Sequence, residues 1–307
     1  MISILERMRQ WTIVQLVAAV VFLWIGLILR ELVLLAIRSA LHLGELPSIW
    51  LSPKGALAYG WAGAAYSVLA ALVTIALGYL AYWTYVRLFE RRRPLELAVD
   101  GAAQECGVGT LIGLAFIGLV ASLLWLLGAL VASRGQSEWV MLVAPAAAAA
   151  TAAFMEEVAI RGIFFRIIER SLGTWLALGL SASVFGLLHA SNPGASFQSS
   201  AAIALSAGVV LGSAFIATRR LWLPIGLHFG VNLAQGTLLG LPVSGKPSAG
   251  LLSSEIEGSV LLTGGEFGLE ASILVPILGL FVSIAFLRYG ATRGRIQAPR
   301  WSATDRE

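Results

Sequence analysis

Long apolar runs with few charged residues alternate with short polar segments along almost the whole chain. At 1.5 Å per residue, a charge-free run of about 20 residues can cross a roughly 30 Å hydrocarbon core as a helix. The pattern predicts eight such helices, at Trp11–Leu29, Ala56–Val86, Cys106–Ser133, Trp139–Met155 with a continuation towards Arg170, about 173–190, about 197–218, about 221–240 and about 268–287. The expected fold class is therefore all-α, a polytopic membrane bundle of about eight transmembrane helices.

The composition agrees with a membrane protein and excludes a soluble domain of this size. Charged residues make up 12% of the 307 residues, and the mean hydropathy is +0.84, whereas soluble domains carry about 25% charged residues. The net charge of +4 does not indicate a nucleic-acid partner, because basic residues separate the apolar runs instead of forming a stripe among aromatics. Cys106 is the only cysteine, so no intramolecular disulfide can form.

The basic residues predict which helix ends face the cytoplasm. Cytoplasmic segments of membrane proteins carry an excess of Lys and Arg, and an N-terminus inside puts 16 of the 21 basic residues on the cytoplasmic side. Both termini are then cytoplasmic. Two segments are not expected to cross the membrane: Leu95–Glu105, which could lie along the inner surface, and 241–267, a Pro-, Gly- and Ser-rich loop on the outer side.

Glu156 and Glu157 form an acidic pair inside a helix otherwise built from apolar residues. Arg161 follows Glu157 by four positions, so the two side chains share a helix face and can form an ion pair. Adjacent residues point about 100° apart around a helix, so Glu156 points elsewhere, without that partner. A buried Glu–Arg pair is by itself more often structural than catalytic, and we assign Glu157 and Arg161 a structural role.

Two of the three histidines, His189 and His228, also lie in predicted spans. Polar side chains in hydrocarbon are costly without partners, which favours bringing these groups together. In an antiparallel helix pair joined by a short turn at 171–173, Glu156 and His189 come to about the same depth. His228 and Asn232 share one face of a later helix, but the spacing from Arg220 to His228 leaves the depth of His228 open.

Three motifs occur in order on successive late spans: EEVAIRG fits EExxxR, FGLLH fits FxxxH, and HFGVN fits HxxxN. Together they resemble the CPBP family of intramembrane proteases, which includes the type II CAAX-prenyl endopeptidases and bacterial Abi proteins. ERRRPLEL and LTGGEFGLEAS are similar to stretches common in bacterial members. The resemblance covers about residues 95–290 and implies three parts: two membrane spans in 1–94, a catalytic membrane domain in 95–290 and a cytoplasmic tail in 291–307.

The resemblance also implies a role for each motif residue. Glu156 and His189 would activate water for peptide hydrolysis, and His228 and Asn232 would stabilise the oxyanion. The supporting positions are Glu157, Arg161 and Phe185. The implied partners are membrane lipid and a peptide or lipidated-protein substrate, with CAAX-type and C-terminal-signal substrates both open. Short loops and the GGEFG stretch favour the inner (plasma) membrane of a bacterium as the location.

Two other hypotheses use the same cluster. A zinc-dependent protease could hold the metal on Glu156, His189 and His228 with an open position for water. We prefer chemistry without a cofactor, because there is no HExxH motif and the ligands come from three separate helices. A non-enzymatic transporter, immunity protein or binding protein could instead use the cluster to bind a partner. The intramembrane polar residues are expected only after position 155, and this asymmetry favours an enzyme over a transporter with matching halves.

Overall fold

The computed structural model describes residues 11–40, 53–135 and 138–300 of the chain. This part is almost wholly helical and contains one two-stranded sheet. In chain order, its helices and strands are α1 (Thr12–Ala40), α2 (Pro53–Thr84), α3 (Ala102–Leu126), β1 (Leu130–Arg134), α4 (Trp139–Glu157), α5 (Arg166–Leu188), α6 (Phe197–Ile203), α7 (Val209–Thr218), α8 (Trp222–Asn232), β2 (Leu252–Ile256), α9 (Val260–Thr263) and α10 (Leu274–Thr292). The chain termini, which the sequence predicts to be cytoplasmic, lie outside the described residues.

Short π-helical turns extend several of these helices. They lie at Tyr85–Phe89, Val158–Phe165, Ala204–Gly208 and Leu233–Leu238. As a result α4 continues into α5, α6 and α7 form one helical rod, and α8 runs on to Leu238. Such turns add one residue to a helical turn and are frequent at functional sites.

Six helices in the described part are long and apolar enough to cross a membrane. One of them, Trp139–Leu188, contains two predicted spans, because Gly173 (φ 76°, ψ 170°) interrupts the helix. The rod from Trp222 to Leu238 is shorter than these six. Helical segments thus occur at all eight predicted positions, and the prediction of an all-α polytopic membrane bundle is confirmed.

The first span is longer than the apolar run indicates. α1 continues to Ala40, whereas the sequence predicts an end at Leu29. Arg30 is therefore inside a candidate membrane helix, where it is buried and its Nε donates to Thr74 Oγ1 of α2 at 3.1 Å. The expectation that intramembrane polar residues occur only after position 155 is wrong, since a hydroxyl on the neighbouring helix satisfies this arginine.

Two other boundaries differ because the chain forms contacts that are distant in sequence. α3 ends at Leu126 instead of Ser133, since Gly128 takes a left-handed conformation (φ 70°) and β1 then pairs antiparallel with β2. β2 lies in the segment 241–267, which the sequence predicts to be a loop. α10 begins at Leu274 instead of 268, after a short 3-10 turn at Leu269–Ala271.

Basic residues gather at one end of the bundle, which we call the basic end. It consists of residues 87–105, 166–174, 217–223 and 288–297. At its centre, Glu90 accepts hydrogen bonds from Arg166 at 2.7 and 2.9 Å and lies 3.5 Å from Arg170. Burial alone would raise the pKa of the Glu90 carboxyl, but Arg166, Arg92 and Arg170 together lower it to about 2. These ion pairs tie the end of α2 to the start of α5.

The segment Leu95–Glu105, predicted to lie along the inner surface, lies at this end and is partly buried. Glu96 and Leu97 are buried in a 3-10 turn at Leu95–Leu97, and Glu105 already belongs to α3. Glu105 pairs with Arg220 at 2.9 Å. The segment therefore packs into the bundle and helps to hold the chain that enters α8.

The other end of the bundle, which we call the loop end, consists of residues 127–135, 189–196 and 239–273. Strands β1 and β2 pair there, the Gly245 amide donates to the Phe267 carbonyl at 2.8 Å, and the Gln198 side chain donates to the Val260 carbonyl at 3.3 Å. These contacts join the loop after α3, the start of α6 and the segment after α8 into one layer.

Glycines bring α3 and α8 into backbone contact. Gly109 and Gly113 of α3 face the backbone of α8, and Gly226 and Gly230 of α8 face the carbonyls of Cys106 and Thr110. A Cβ atom at any of these four positions would overlap a backbone atom of the other helix. Small residues spaced by four allow this close approach of membrane helices, and here they set the position of the helix that carries the HxxxN motif.

We expect Gly230→Ala to force α3 and α8 apart and to destabilise the protein by about 1–3 kcal/mol, as overpacking of a tight contact does. Gly118→Ala is the matched control, because Gly118 lies on the same helix pair with no atom close to its missing Cβ. Thermal unfolding of both variants in detergent measures the difference. Equal melting temperatures would show that the close contact does not stabilise the bundle.

Candidate active site

The helical hairpin of α4 and α5 brings the first two motifs together. Gly173 separates its two arms, and Glu156 and His189 lie nearly equally far from it in sequence. The Glu156 Oε2 atom lies 4.0 Å from His189 Nε2. Glu156 and His189 therefore lie at the same depth, as their similar distances from the turn at 171–173 predict.

The third motif reaches the same carboxylate from α8. His228 Nε2 lies 3.9 Å from Glu156 Oε2, so both imidazoles face one carboxylate oxygen. Leu221, just before α8, is fully buried, and its amide donates to the Glu96 carbonyl at 2.9 Å. α8 thus begins inside the packed bundle instead of at its rim, and this offset brings His228 to the depth of Glu156.

Hydrogen bonds at Nδ1 orient both histidines. His189 Nδ1 lies 2.8 Å from the Phe185 carbonyl oxygen, which only accepts, so Nδ1 carries the proton and donates. His228 Nδ1 lies 3.1 Å from Glu157 Oε1. In each ring Nε2 is the nitrogen directed at Glu156, because Nδ1 is already engaged.

The two glutamates of EExxxR have different environments. Glu157 and Arg161 are both fully buried and form an ion pair of 2.7 Å, as the i, i+4 spacing predicts. Glu156 is more than one-third exposed, and its Oε2 is buried without a hydrogen-bond partner. The carboxylate next to the structural pair is thus the one that faces the cavity.

Arg161 connects this pair to the rest of the bundle. Its second guanidinium nitrogen donates to the carbonyls of Ala207 at 3.2 Å and Gly208 at 3.0 Å. Its guanidinium carbon also lies 4.6 Å from the centre of the Phe185 ring. Arg161 therefore links α4 to α5 and to the turn between α6 and α7.

Phe185, the first residue of FxxxH, packs at the centre of the polar cluster. Its ring centre lies 4.7 Å from the imidazole of His189 and 6.0 Å from that of His228. The ring is buried and touches the Arg161 guanidinium on another side. Phe185 thus packs against both histidines and against Arg161.

Asn232 lies one helical turn after His228 and lines the same cavity. The π-helical turn Leu233–Leu238 starts directly after it, just as Val158–Phe165 starts directly after Glu157. A π-helical turn thus begins directly after HxxxN and directly after the glutamate pair of EExxxR. Asn232 is half-buried, and its amide borders the space in front of His228.

A cavity of about 670 Å³ opens in front of these residues. Its walls are mostly apolar and come from α1, α4, α5 and α8, with a turn at 243–248 at one side. The α1 residues in the wall are Val20, Leu23, Trp24 and Leu27. A smaller adjoining cavity of about 40 Å³ connects His189, His228 and Asn232 with Ser244 and Glu270.

Sequence reasoning missed Glu270 and Ser244. Glu270 is buried, and its carboxylate accepts a hydrogen bond from the Ser244 amide. Burial raises the pKa of the Glu270 carboxyl to about 7, although the bonds from Ser244 oppose this shift. Glu270 lies in the LTGGEFGLEAS stretch noted above. No local pattern in that stretch predicts that the Glu270 carboxylate binds the Ser244 amide.

The candidate zinc ligands lie farther apart than the ligands of a zinc ion. No group of three or more His, Cys, Asp or Glu residues in the described part is placed to hold a metal ion. The Nε2 atoms of His189 and His228 lie 4.0 and 3.9 Å from Glu156 Oε2, whereas ligands of a tetrahedral zinc ion lie about 3.4 Å apart when each bond is about 2.0–2.1 Å. Glu156, His189 and His228 would therefore have to move closer together to hold a zinc ion.

Residues 136–234 match the family model described as type II CAAX prenyl endopeptidase Rce1-like. The match spans about a third of the chain and includes all three motifs, from Glu156 to Asn232. It confirms the resemblance to the CPBP proteases and supports an integral membrane protease in general. The search of curated proteins and that of solved structures gave no match.

We expect Arg161→Met to destabilise the protein by about 3–5 kcal/mol, because it leaves the Glu157 carboxylate buried without its cation. Arg288→Met is the control, since it removes the same charge from an exposed position of α10 and should change stability by less than about 0.5 kcal/mol. Thermal unfolding in detergent compares the two variants. A similar small effect of both would contradict the structural role of the buried pair.

Proposed function

We propose that the protein is an intramembrane endopeptidase in which Glu156 and His189 activate water and His228 and Asn232 stabilise the oxyanion. The observation that carries this proposal is the approach of two imidazole Nε2 atoms to one Glu156 oxygen, at 4.0 and 3.9 Å, at the inner end of an apolar cavity. These distances exceed a direct hydrogen bond and suit a bridging water.

Glu156 is the proposed general base. A water between Glu156 Oε2 and His189 Nε2 gives its proton to the carboxylate as its oxygen attacks the peptide carbonyl carbon. His189 Nε2 accepts a hydrogen bond from the other O–H of the water, which stays on the attacking oxygen, because the Nδ1 proton of His189 is engaged by the Phe185 carbonyl. When the C–N bond breaks, Glu156 returns the proton to the leaving amine, so protons balance over one turnover.

His228 and Asn232 are the proposed donors to the oxyanion. The Nε2 atom of His228 donates only when it carries a proton, and the Glu157 carboxylate at Nδ1 stabilises the doubly protonated ring that can do so. Asn232 adds an amide N–H from the next turn of α8. Preorganised donors of this kind are worth about 10²–10³ in rate each.

The proposed catalytic domain remains 95–290, with the spans in 1–94 and the tail in 291–307 as separate parts. Residues of α1 nevertheless line the cavity, so the first part supplies a wall of the site. We propose membrane lipid and membrane-held peptides or lipidated proteins as partners, with no nucleic acid and no cofactor. The proposed location is the inner membrane of a bacterium.

We expect Glu156→Gln to lower cleavage by at least about 10², because it keeps the shape of the side chain and removes the base. Glu255→Gln is the matched control, since Glu255 is exposed on β2. Comparing the termini of membrane proteins by mass spectrometry, in cells carrying each variant, measures the effect. Termini that are the same with wild-type and Glu156→Gln protein would contradict a protease and favour a binding protein.

Cleavage is expected to continue after treatment with a metal chelator, because the proposed mechanism uses only side chains and water. The measurement is the cleavage rate of purified protein with and without 1,10-phenanthroline, on a substrate identified from the altered termini. Loss of activity that added Zn²⁺ restores would assign the metal mechanism to Glu156, His189 and His228 instead.

A further inference from the structure

The cavity extends from the catalytic cluster in one direction only. Along α4 and the π-helical turn after it, the wall runs from Pro145 to Ile160, so most of this wall precedes Glu156 and lies away from the basic end. On α5 the wall continues to His189 and Asn192, which begin the loop end, and after α8 it includes the turn 243–248. The cluster therefore lies at the end of the cavity nearest the basic end, which we call its floor, and the loop end forms the opposite end, which we call its mouth.

A packed core closes the opposite direction. Between the cluster and the basic end, the side chains of Tyr82, Phe165, Phe215 and Leu221 are fully buried in one apolar cluster. The Tyr82 hydroxyl donates to the Gly162 carbonyl at 3.2 Å, and the rings of Phe165 and Phe215 meet edge to face at 5.6 Å. A peptide segment has no route through this layer without unfolding it.

Short helices place the floor of the cavity within reach of the loop end. The arm of α5 after Gly173 and the rod from Trp222 to Leu238 are about 22–25 Å long at 1.5 Å per residue. Both are shorter than a hydrocarbon core of roughly 30 Å. Loop residues that follow these two helices, among them Asn192 and Ser244, line the cavity on the side away from the basic end.

The charges of the two ends differ in sign. The basic end carries most of the arginines, whereas the loop segment 239–273 at the mouth contains four glutamates and one lysine. Basic segments stay in the cytoplasm and acidic ones show no such preference. The cavity mouth thus lies on the side of the membrane opposite the cytoplasmic, basic end.

We propose that the substrate enters this cavity from the non-cytoplasmic side and is an exported polypeptide held in the membrane by an apolar segment. The apolar wall of α1, including the lipid-exposed Trp24, accommodates that segment, and the scissile bond descends to Glu156. A prenylated C-terminus in the cytoplasm lies at the wrong end of the bundle. This inference rests on the proposed protease function.

Cysteine labelling tests the access side without requiring catalysis. Cys106, the only cysteine, is first replaced by serine, and single cysteines are then introduced at the mouth or at the basic end. Pro247→Cys lies at the cavity mouth, Ser253→Cys is an exposed second position on β2, and Arg93→Cys is the matched exposed position at the basic end. The probe is a membrane-impermeant maleimide added to intact cells, with and without permeabilisation.

We expect Pro247→Cys and Ser253→Cys to be labelled in intact cells, and Arg93→Cys to be labelled several-fold more strongly after permeabilisation. The reverse pattern would overturn the inference and direct the site to cytoplasmic substrates. In the comparison of termini, Glu156-dependent cleavage sites are expected in exported segments. Sites confined to cytoplasmic segments would overturn this inference but leave the protease function, whereas the absence of any dependent site would overturn the protease function itself.

Discussion

The buried ion pair between Glu157 and Arg161 is the interaction on which the site depends. A charge without a partner is not tolerated in such surroundings, so Arg161 uses its donors on Glu157 and on two backbone carbonyls of the turn between α6 and α7. Glu157 in turn faces His228 Nδ1 of α8, and the Phe185 ring of α5 lies against the guanidinium. The pair thus contacts the helices of all three motifs, and displacement of α5 or α8 would remove a contact of this buried pair.

This arrangement explains why two adjacent glutamates have different tasks. Successive side chains on a helix point about 100° apart, so when Glu157 is turned into the core, Glu156 is turned towards the cavity. The structural carboxylate orients His228, and the proposed reactive carboxylate then meets both Nε2 atoms. Glu156 is the residue next to Glu157. The buried ion pair of Glu157 therefore also fixes the backbone position of the proposed reactive carboxylate.

The bundle is asymmetric along its axis, and the asymmetry matches the proposed chemistry. Ion pairs around Glu90 and a layer of buried aromatic rings make the basic end closed and rigid. At the other end, short helices and loop residues line the cavity in front of Glu156. Hydrolysis needs both reactants inside an apolar site, and a cavity with a closed floor and one mouth admits them while the helices below keep the side chains in place.

The sequence by itself determined the features that depend on local spacing. Apolar runs of membrane length predicted the helices, the i, i+4 step predicted the pair of Glu157 with Arg161, and equal distances from Gly173 predicted the approach of Glu156 to His189. The depth of His228, the pairing of β1 with β2 and the carboxylate of Glu270 beside Ser244 were decided only by the tertiary structure. Each of these depends on how distant segments pack: α8 starts inside the bundle because glycines let it touch the backbone of α3, and each strand finds its partner far away in the chain. A local sequence pattern predicts which face of a helix a residue occupies. The offset between two packed helices depends on contacts between residues that are far apart in the sequence, so a local pattern does not predict it.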